Sequence, residues 1–126
     1  MPAGSTLNLQ GPFSESQLSR ISEALDAADR ETGMTFSVYV GQLEGSTREH
    51  AERLHAQLER PDGSVLIAIS PNQRMLEIVT GSSVRGRLSD QSCGLVAMSM
   101  TSSLSGGDLA GAIVVGLHML SERARW

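Results

Sequence analysis

The chain has 126 residues, a hydrophobic content of 40% and a formal net charge of -4, which fits one folded core. The acidic balance and the scattered arginines argue against a nucleic-acid-binding protein, because phosphate backbones are bound by clustered Lys and Arg. The one cysteine, Cys93, excludes an intramolecular disulfide, and no leader or membrane-spanning segment stands out, so we expect a cytoplasmic protein without a membrane partner.

The N-terminal segment, residues 1–12, mixes small and polar residues with Gly and Pro. We therefore expect it to be flexible and to precede a single domain over residues 13–126. An alternative remains open, because Leu7 and Leu9 alternate with polar residues as in a short edge strand.

A helix, a strand and a second helix are predicted next. Ser14 and Gln17 form a capping box, and apolar residues then recur at helical spacing until Gly33. Residues 36–40 alternate with the period of a strand that has one strongly buried face. An amphipathic helix follows and ends before Pro61.

The second half predicts a hairpin and two helices. Residues 65–69 are uniformly apolar, which is typical of a central strand covered on both faces. The turn at residues 70–73 sends a strand over residues 74–80 back antiparallel, so Arg74 should lie at the far end of the hairpin from Asp62. Helices capped by Ser89 or Asp90, and by Asp108, complete the chain.

These elements predict an α/β fold in which helices cover both faces of a small mixed sheet, with one right-handed parallel crossover and one antiparallel hairpin.

Motifs for phosphate loops, dinucleotide binding and zinc fingers are absent. His50 and His55 are five residues apart, which separates them around a helix and favours solvated or partly packed side chains over a shared metal. His118 and Glu122 are spaced for a local helix pair. We expect Cys93 to be buried rather than reactive, although it lies in the first turn of a helix.

One candidate site follows from the hairpin. Its geometry makes Asp62 a neighbour of Gly81, and the loop after Gly81 leads to Arg85, Arg87 and Asp90. We call Asp62, Arg85, Arg87 and Asp90 the rim. The two carboxylates are candidate ligands for calcium or magnesium, and the two arginines are candidate ligands for phosphate. The alternative is that the four residues have structural roles only. In that case Asp62 stabilises a turn, Asp90 caps a helix, and the two arginines offset the charge of the two carboxylates.

The order of elements and the segment between Asp62 and Asp90 resemble the TPM domain, the superfamily of thylakoid acid phosphatase-like proteins, and within it an uncharacterised actinobacterial branch. The resemblance covers residues 13–125. For the superfamily it is carried by the stretches Asp62-Gly63, Val65-Leu66-Ile67-Ala68-Ile69, Glu77-Ile78-Val79-Thr80-Gly81 and Leu88-Ser89-Asp90, together with Arg74. For the actinobacterial branch it is carried by Phe36-Ser37-Val38-Tyr39-Val40-Gly41, by the same Glu77–Gly81 stretch and by Ala97-Met98-Ser99-Met100-Thr101-Ser102-Ser103.

The resemblance implies a three-layer α/β/α fold and, for some members, phosphatase activity with calcium or another divalent ion. Where the TPM pattern has Gly-aromatic-Gly-Leu-Glu, this chain has Gly81-Ser82-Ser83-Val84-Arg85, so its loop is less acidic. We therefore predict a non-catalytic binding or regulatory module whose partner is a protein or a small phosphorylated ligand. The alternative is a divalent-metal-dependent phosphatase.

Overall fold

The computed structural model describes residues 6–9 and 13–125. Its helices and strands, in chain order, are β1 (Thr6–Leu9), α1 (Glu15–Thr32), β2 (Thr35–Val40), α2 (Thr47–Ala56), β3 (Ser64–Ser70), β4 (Met75–Thr80), α3 (Asp90–Ser105) and α4 (Leu109–Ala124). Of the segment predicted to be flexible, residues 1–5 and 10–12 lie outside the described residues. Residues 6–9 form β1, in agreement with the alternative prediction of a short strand.

The four strands form one mixed sheet in the order β1-β2-β3-β4. The first three strands are parallel, and β4 returns antiparallel to β3. All seven residues of β3 are buried, and the strand has a neighbour on each side, so the prediction of a central strand is confirmed. Pairing of β1 with β2 adds a second parallel crossover to the one predicted.

Helices cover the sheet on both sides. The larger core joins α1, α3 and α4 to one face through residues that include Ile21, Phe36 and Ile67. The smaller core joins α2 to the other face and contains Ala51, Leu66 and Val79 among its members. The three-layer α/β/α prediction is therefore confirmed. None of the described helices has the length and apolar character needed to cross a membrane.

The two crossovers differ in hand. From β1 to β2 and from β2 to β3 the chain moves in the same direction across the sheet, yet α1 and α2 lie on opposite faces. Reversing the face while keeping the direction reverses the hand of a crossover. Only one of the two therefore has the right-handed form that strongly predominates in proteins.

Local signals place both ends of α1 and the starts of α3 and α4 as predicted, whereas α2 ends at Ala56 rather than at Pro61. The Ser14 side chain accepts from the Gln17 amide while the Gln17 side chain accepts from the Ser14 amide, which completes the capping box of α1. Gly33 ends that helix at φ 76°, a left-handed conformation that favours glycine. Ser89 caps α3, and Asp108 caps α4.

Gly81 controls how β4 meets the chain that enters β3. Its amide donates to the Ser64 carbonyl at 2.9 Å, which extends the hairpin ladder by one residue. A Cβ at this position would overlap the main-chain carbonyl oxygens of Pro61 and Asp62. Only a residue without a side chain lets the two segments pack this closely.

Replacing Gly81 by alanine should therefore lower the free energy of unfolding by about 1–3 kcal/mol, because backbone must move to accept the methyl group. Urea unfolding measures the change. Gly86→Ala is the matched control in the same loop, since a Cβ there meets nothing within 4 Å. Equal stability of the two variants would contradict the close-packing explanation.

Candidate functional site

The rim lies where β3 begins and β4 ends. Asp62 lies in a single 3-10 turn, Pro61–Gly63, directly before β3. The Ser83 amide donates to the Asp62 carbonyl at 3.0 Å, so the turn and the loop after Gly81 are joined by main-chain contacts. The predicted proximity of Asp62 and Gly81 is confirmed.

The two rim arginines have different surroundings. The exposed Arg85 donates from Nη2 to the Thr80 carbonyl at 3.0 Å, which holds its guanidinium beside the end of β4. The half-buried Arg87 donates to the carbonyl of Ala124, the last residue of α4. Arg87 therefore ties the loop to the end of a helix, whereas Arg85 faces solvent.

The rim carboxylates of Asp62 and Asp90 are both exposed. Neither forms an ion pair with another residue of the described ranges. Within residues 6–9 and 13–125, no three His, Cys, Asp or Glu side chains are grouped closely enough to hold a metal ion. Calcium commonly takes six to eight oxygen ligands. Binding of calcium or magnesium by these two carboxylates stays a prediction.

A second polar cluster borders the rim and was not singled out from the sequence. Arg48, predicted on the wet side of α2, donates to the Ile78 carbonyl at 2.8 Å and to Glu52 at 3.1 Å. It also lies 3.6 Å from Glu77, which accepts from the Thr47 hydroxyl at 2.9 Å. The only sequence signal was the spacing of Arg48 and Glu52, which indicates a helix pair but not the contact with β4.

Cys93 is buried, as predicted, with 6% of its surface exposed. Burial, and then the Asp90 carboxylate, raise the pKa of its thiol from 9.0 to about 11, against the opposing charge of Arg48. The thiol is therefore protonated at neutral pH and is a poor nucleophile. Asp90 and Arg48 act on this thiol with opposite sign, although they come from different helices.

The three histidines occupy separate positions. Nδ1 of His50 accepts from the Glu44 amide at 2.8 Å, and Nε2 of the buried His55 lies 3.0 Å from the Ser64 carbonyl. His118 pairs with Glu122 at 3.2 Å along α4. The prediction of packed or solvated histidines and of a local helix pair is confirmed.

Arg74 lies at the opposite end of the hairpin from Asp62, as predicted. It belongs to the turn before β4 rather than to the strand, and its backbone has φ 55°. There it lines a cavity of about 380 Å³ together with residues of the turn between α3 and α4. It is therefore separate from the rim.

Comparison with known sequences identifies the family. Residues 3–121 match the family described as "Domain of unknown function (DUF5130)". The chain belongs to this family. It is also 31% identical over 115 residues to "Uncharacterized protein Rv2468c" of Mycobacterium tuberculosis, covering 91% of this chain and 69% of that protein.

Solved structures show the same fold at low sequence identity. The N-terminal domain of a protein from P. gingivalis superposes with a TM-score of 0.81 at 17% identity, and the match covers 94% of this chain and 80% of that chain. The N-terminal domain of the cg2496 protein from Corynebacterium glutamicum has a TM-score of 0.77 at 16% identity, covering 96% and 79%. These likenesses show the fold alone. TPM membership stays a prediction.

The pKa of the Cys93 thiol tests whether Asp90 and Arg48 lie close to it. Asp90→Asn should lower the pKa of the thiol from about 11, and Arg48→Met should raise it. The Cβ chemical shift of Cys93, followed by NMR through a pH titration, measures both changes.

The raised pKa of Cys93 also predicts that the folded state loses stability at alkaline pH. The folded state keeps a proton that the unfolded state releases above pH 9.0, so the contribution of Cys93 to stability is complete below pH 9.0 and is lost as the pH rises towards about 11. Cys93→Ala should remove this part of the pH dependence. If the pKa of Cys93 is the same in Asp90→Asn, Arg48→Met and the unmodified chain, the proximity of these two side chains to the thiol is contradicted.

Proposed function

We propose that this chain is a non-catalytic binding module that takes a small phosphorylated ligand at the rim, with Arg85 as the principal contact. The observation that carries the proposal is the anchoring of the exposed Arg85 guanidinium by the neutral Thr80 carbonyl at 3.0 Å. A carbonyl orients the group without cancelling its charge. The other N–H donors of the planar Arg85 guanidinium can therefore bind an anion.

The other rim residues support a division of roles. Arg87 positions the loop through the Ala124 carbonyl, so it acts on the ligand through the placement of Arg85. Asp90 occupies the first turn of α3, where its carboxylate already complements the positive end of the helix dipole. Anion binding at the rim therefore depends on arginine rather than on the helix N-terminus.

The non-catalytic part of the proposal is supported by the state of Cys93. Its raised pKa keeps the thiol protonated, and burial keeps it from solvent. The chain thus offers an oriented cation at Arg85 and an unreactive thiol at Cys93, which suits recognition of a phosphate better than nucleophilic attack on one.

Arg85→Met should weaken binding of inorganic phosphate by about tenfold or more, because a charge-assisted hydrogen bond contributes about 1.5–3 kcal/mol. Arg85→Glu should abolish phosphate binding and strengthen calcium binding, since it adds a third carboxylate to Asp62 and Asp90. Calorimetric titration of each protein with phosphate and with calcium measures both effects.

Arg20→Met is the control, because Arg20 is exposed in the first half of α1, at the other end of the sheet, and its loss changes the net charge equally. Phosphate binding that is absent from the unmodified chain, or that is equally weak in both methionine variants, overturns the proposal. Release of phosphate from p-nitrophenyl phosphate that requires magnesium or calcium, and is lost in Asp62→Asn and Asp90→Asn, would instead favour the metal-dependent phosphatase.

A further inference from the structure

A cavity lies at the end of the hairpin away from the rim. It has a volume of about 380 Å³ and is enclosed by the turn between β3 and β4 and the turn between α3 and α4. Four large apolar side chains line it, namely Met75, Leu76, Leu104 and Leu109. The three leucines pack against the larger core, whereas 37% of Met75 is exposed. The volume falls within the range of small-molecule sites, roughly 300–1,000 Å³.

Arg74 supplies the charge of this cavity. None of the other described residues that line it is charged. The Arg74 side chain is exposed, and it forms no ion pair or hydrogen bond with another residue of the described ranges. Asp108 adjoins the lining residue Leu109 in sequence, but its carboxylate accepts from the Gly111 amide at 2.9 Å and lies outside the lining. The cavity therefore combines apolar walls with one uncompensated positive charge.

The backbone of Arg74 is held in an unfavourable conformation. At φ 55° it is the one non-glycine residue in the described part of the chain with a left-handed backbone, which crowds its Cβ against the following carbonyl. The turn imposes this conformation, because the Arg74 amide donates to the Pro71 carbonyl at 3.2 Å. The Gln73 side chain fixes the same turn by accepting from the Leu43 amide at 2.9 Å. A strained residue whose side chain has no protein partner indicates a role other than stabilising the turn.

We propose that this cavity binds a small monocarboxylate with an apolar tail, such as a medium-chain aliphatic acid. The Arg74 guanidinium pairs with the carboxylate, since the two planar groups match in geometry and charge. The tail packs against the leucines and Met75. One arginine compensates the single charge of a carboxylate, whereas a phosphate dianion would keep uncompensated charge beside apolar walls. This inference does not depend on phosphate binding at the rim, which lies at the other end of the hairpin.

Calorimetric titration with sodium octanoate tests the proposal. Octan-1-ol lacks the charge and acetate lacks the tail, so each should bind more weakly than octanoate by about tenfold or more. Octanoate that does not bind at millimolar concentration overturns the proposal. Octanol that binds as tightly as octanoate also overturns it, because the charge of Arg74 would then have no part in recognition.

Substitutions at Arg74 identify the residue that binds the carboxylate. Arg74→Met should weaken octanoate binding by about tenfold or more, and Arg74→Lys should retain part of it because the charge is kept. Arg53→Met is the matched control, since it makes the same change in net charge at an exposed residue of α2, outside the cavity lining. Equal affinity of the two methionine variants for octanoate contradicts the assignment.

Arg74→Gly separates a ligand role from a structural one. Glycine suits φ 55°, so this variant should lose octanoate binding while its urea midpoint stays at or above that of the unmodified chain. A lower midpoint together with lost binding would show that Arg74 serves the turn, and would overturn the ligand role. Amide NMR shifts on addition of octanoate to the unmodified chain should cluster at Thr101, Ser105 and Gly107, which line the cavity. Shifts confined to other regions place the ligand elsewhere and overturn the proposal.

Discussion

Burial of β3 on both faces is the constraint on which the rest of the structure depends. A strand of seven buried residues needs apolar cover above and below, and α1, α3 and α4 supply one side while α2 supplies the other. Its hydrogen bonds are completed by β2 and β4, so the short turn before Met75 brings β4 to the outer position. The rim exists because this hairpin returns the chain to the place where β3 began.

Main-chain carbonyls bind the arginines that matter most to the proposed chemistry. Arg48, Arg85 and Arg87 each donate to a main-chain carbonyl of β4 or of α4. For Arg85, the neutral acceptor restricts the long side chain while preserving its charge, whereas Arg48 also has the carboxylates of Glu52 and Glu77 as partners. Arg85 therefore combines a fixed position beside the end of β4 with N–H donors that the Thr80 contact does not use.

Part of the candidate site could be derived from the sequence because hairpin topology alone relates its residues. A turn after residue 70 sets the start of β3 beside the end of β4, which brings Asp62 to Gly81 without any knowledge of side-chain packing. Arg48 could not be found in this way. It is separated from Ile78 by 30 residues, and its contact depends on the placement of α2 across β3 and β4. Helical periodicity assigns a residue to the wet side but does not tell what its long side chain reaches.

The local sequence determined the caps of the helices, the central position of β3 and the reversal into β4, because each depends on neighbouring residues or on an unbroken apolar run. Gly33 and the pair Ser14 and Gln17 are sufficient for the ends of α1. Tertiary structure alone decided the pairing of β1, the opposite hands of the two crossovers and the carbonyl partners of the arginines. These features arise between segments far apart in sequence, where the energy of packing whole layers, rather than the preference of any residue, selects the arrangement.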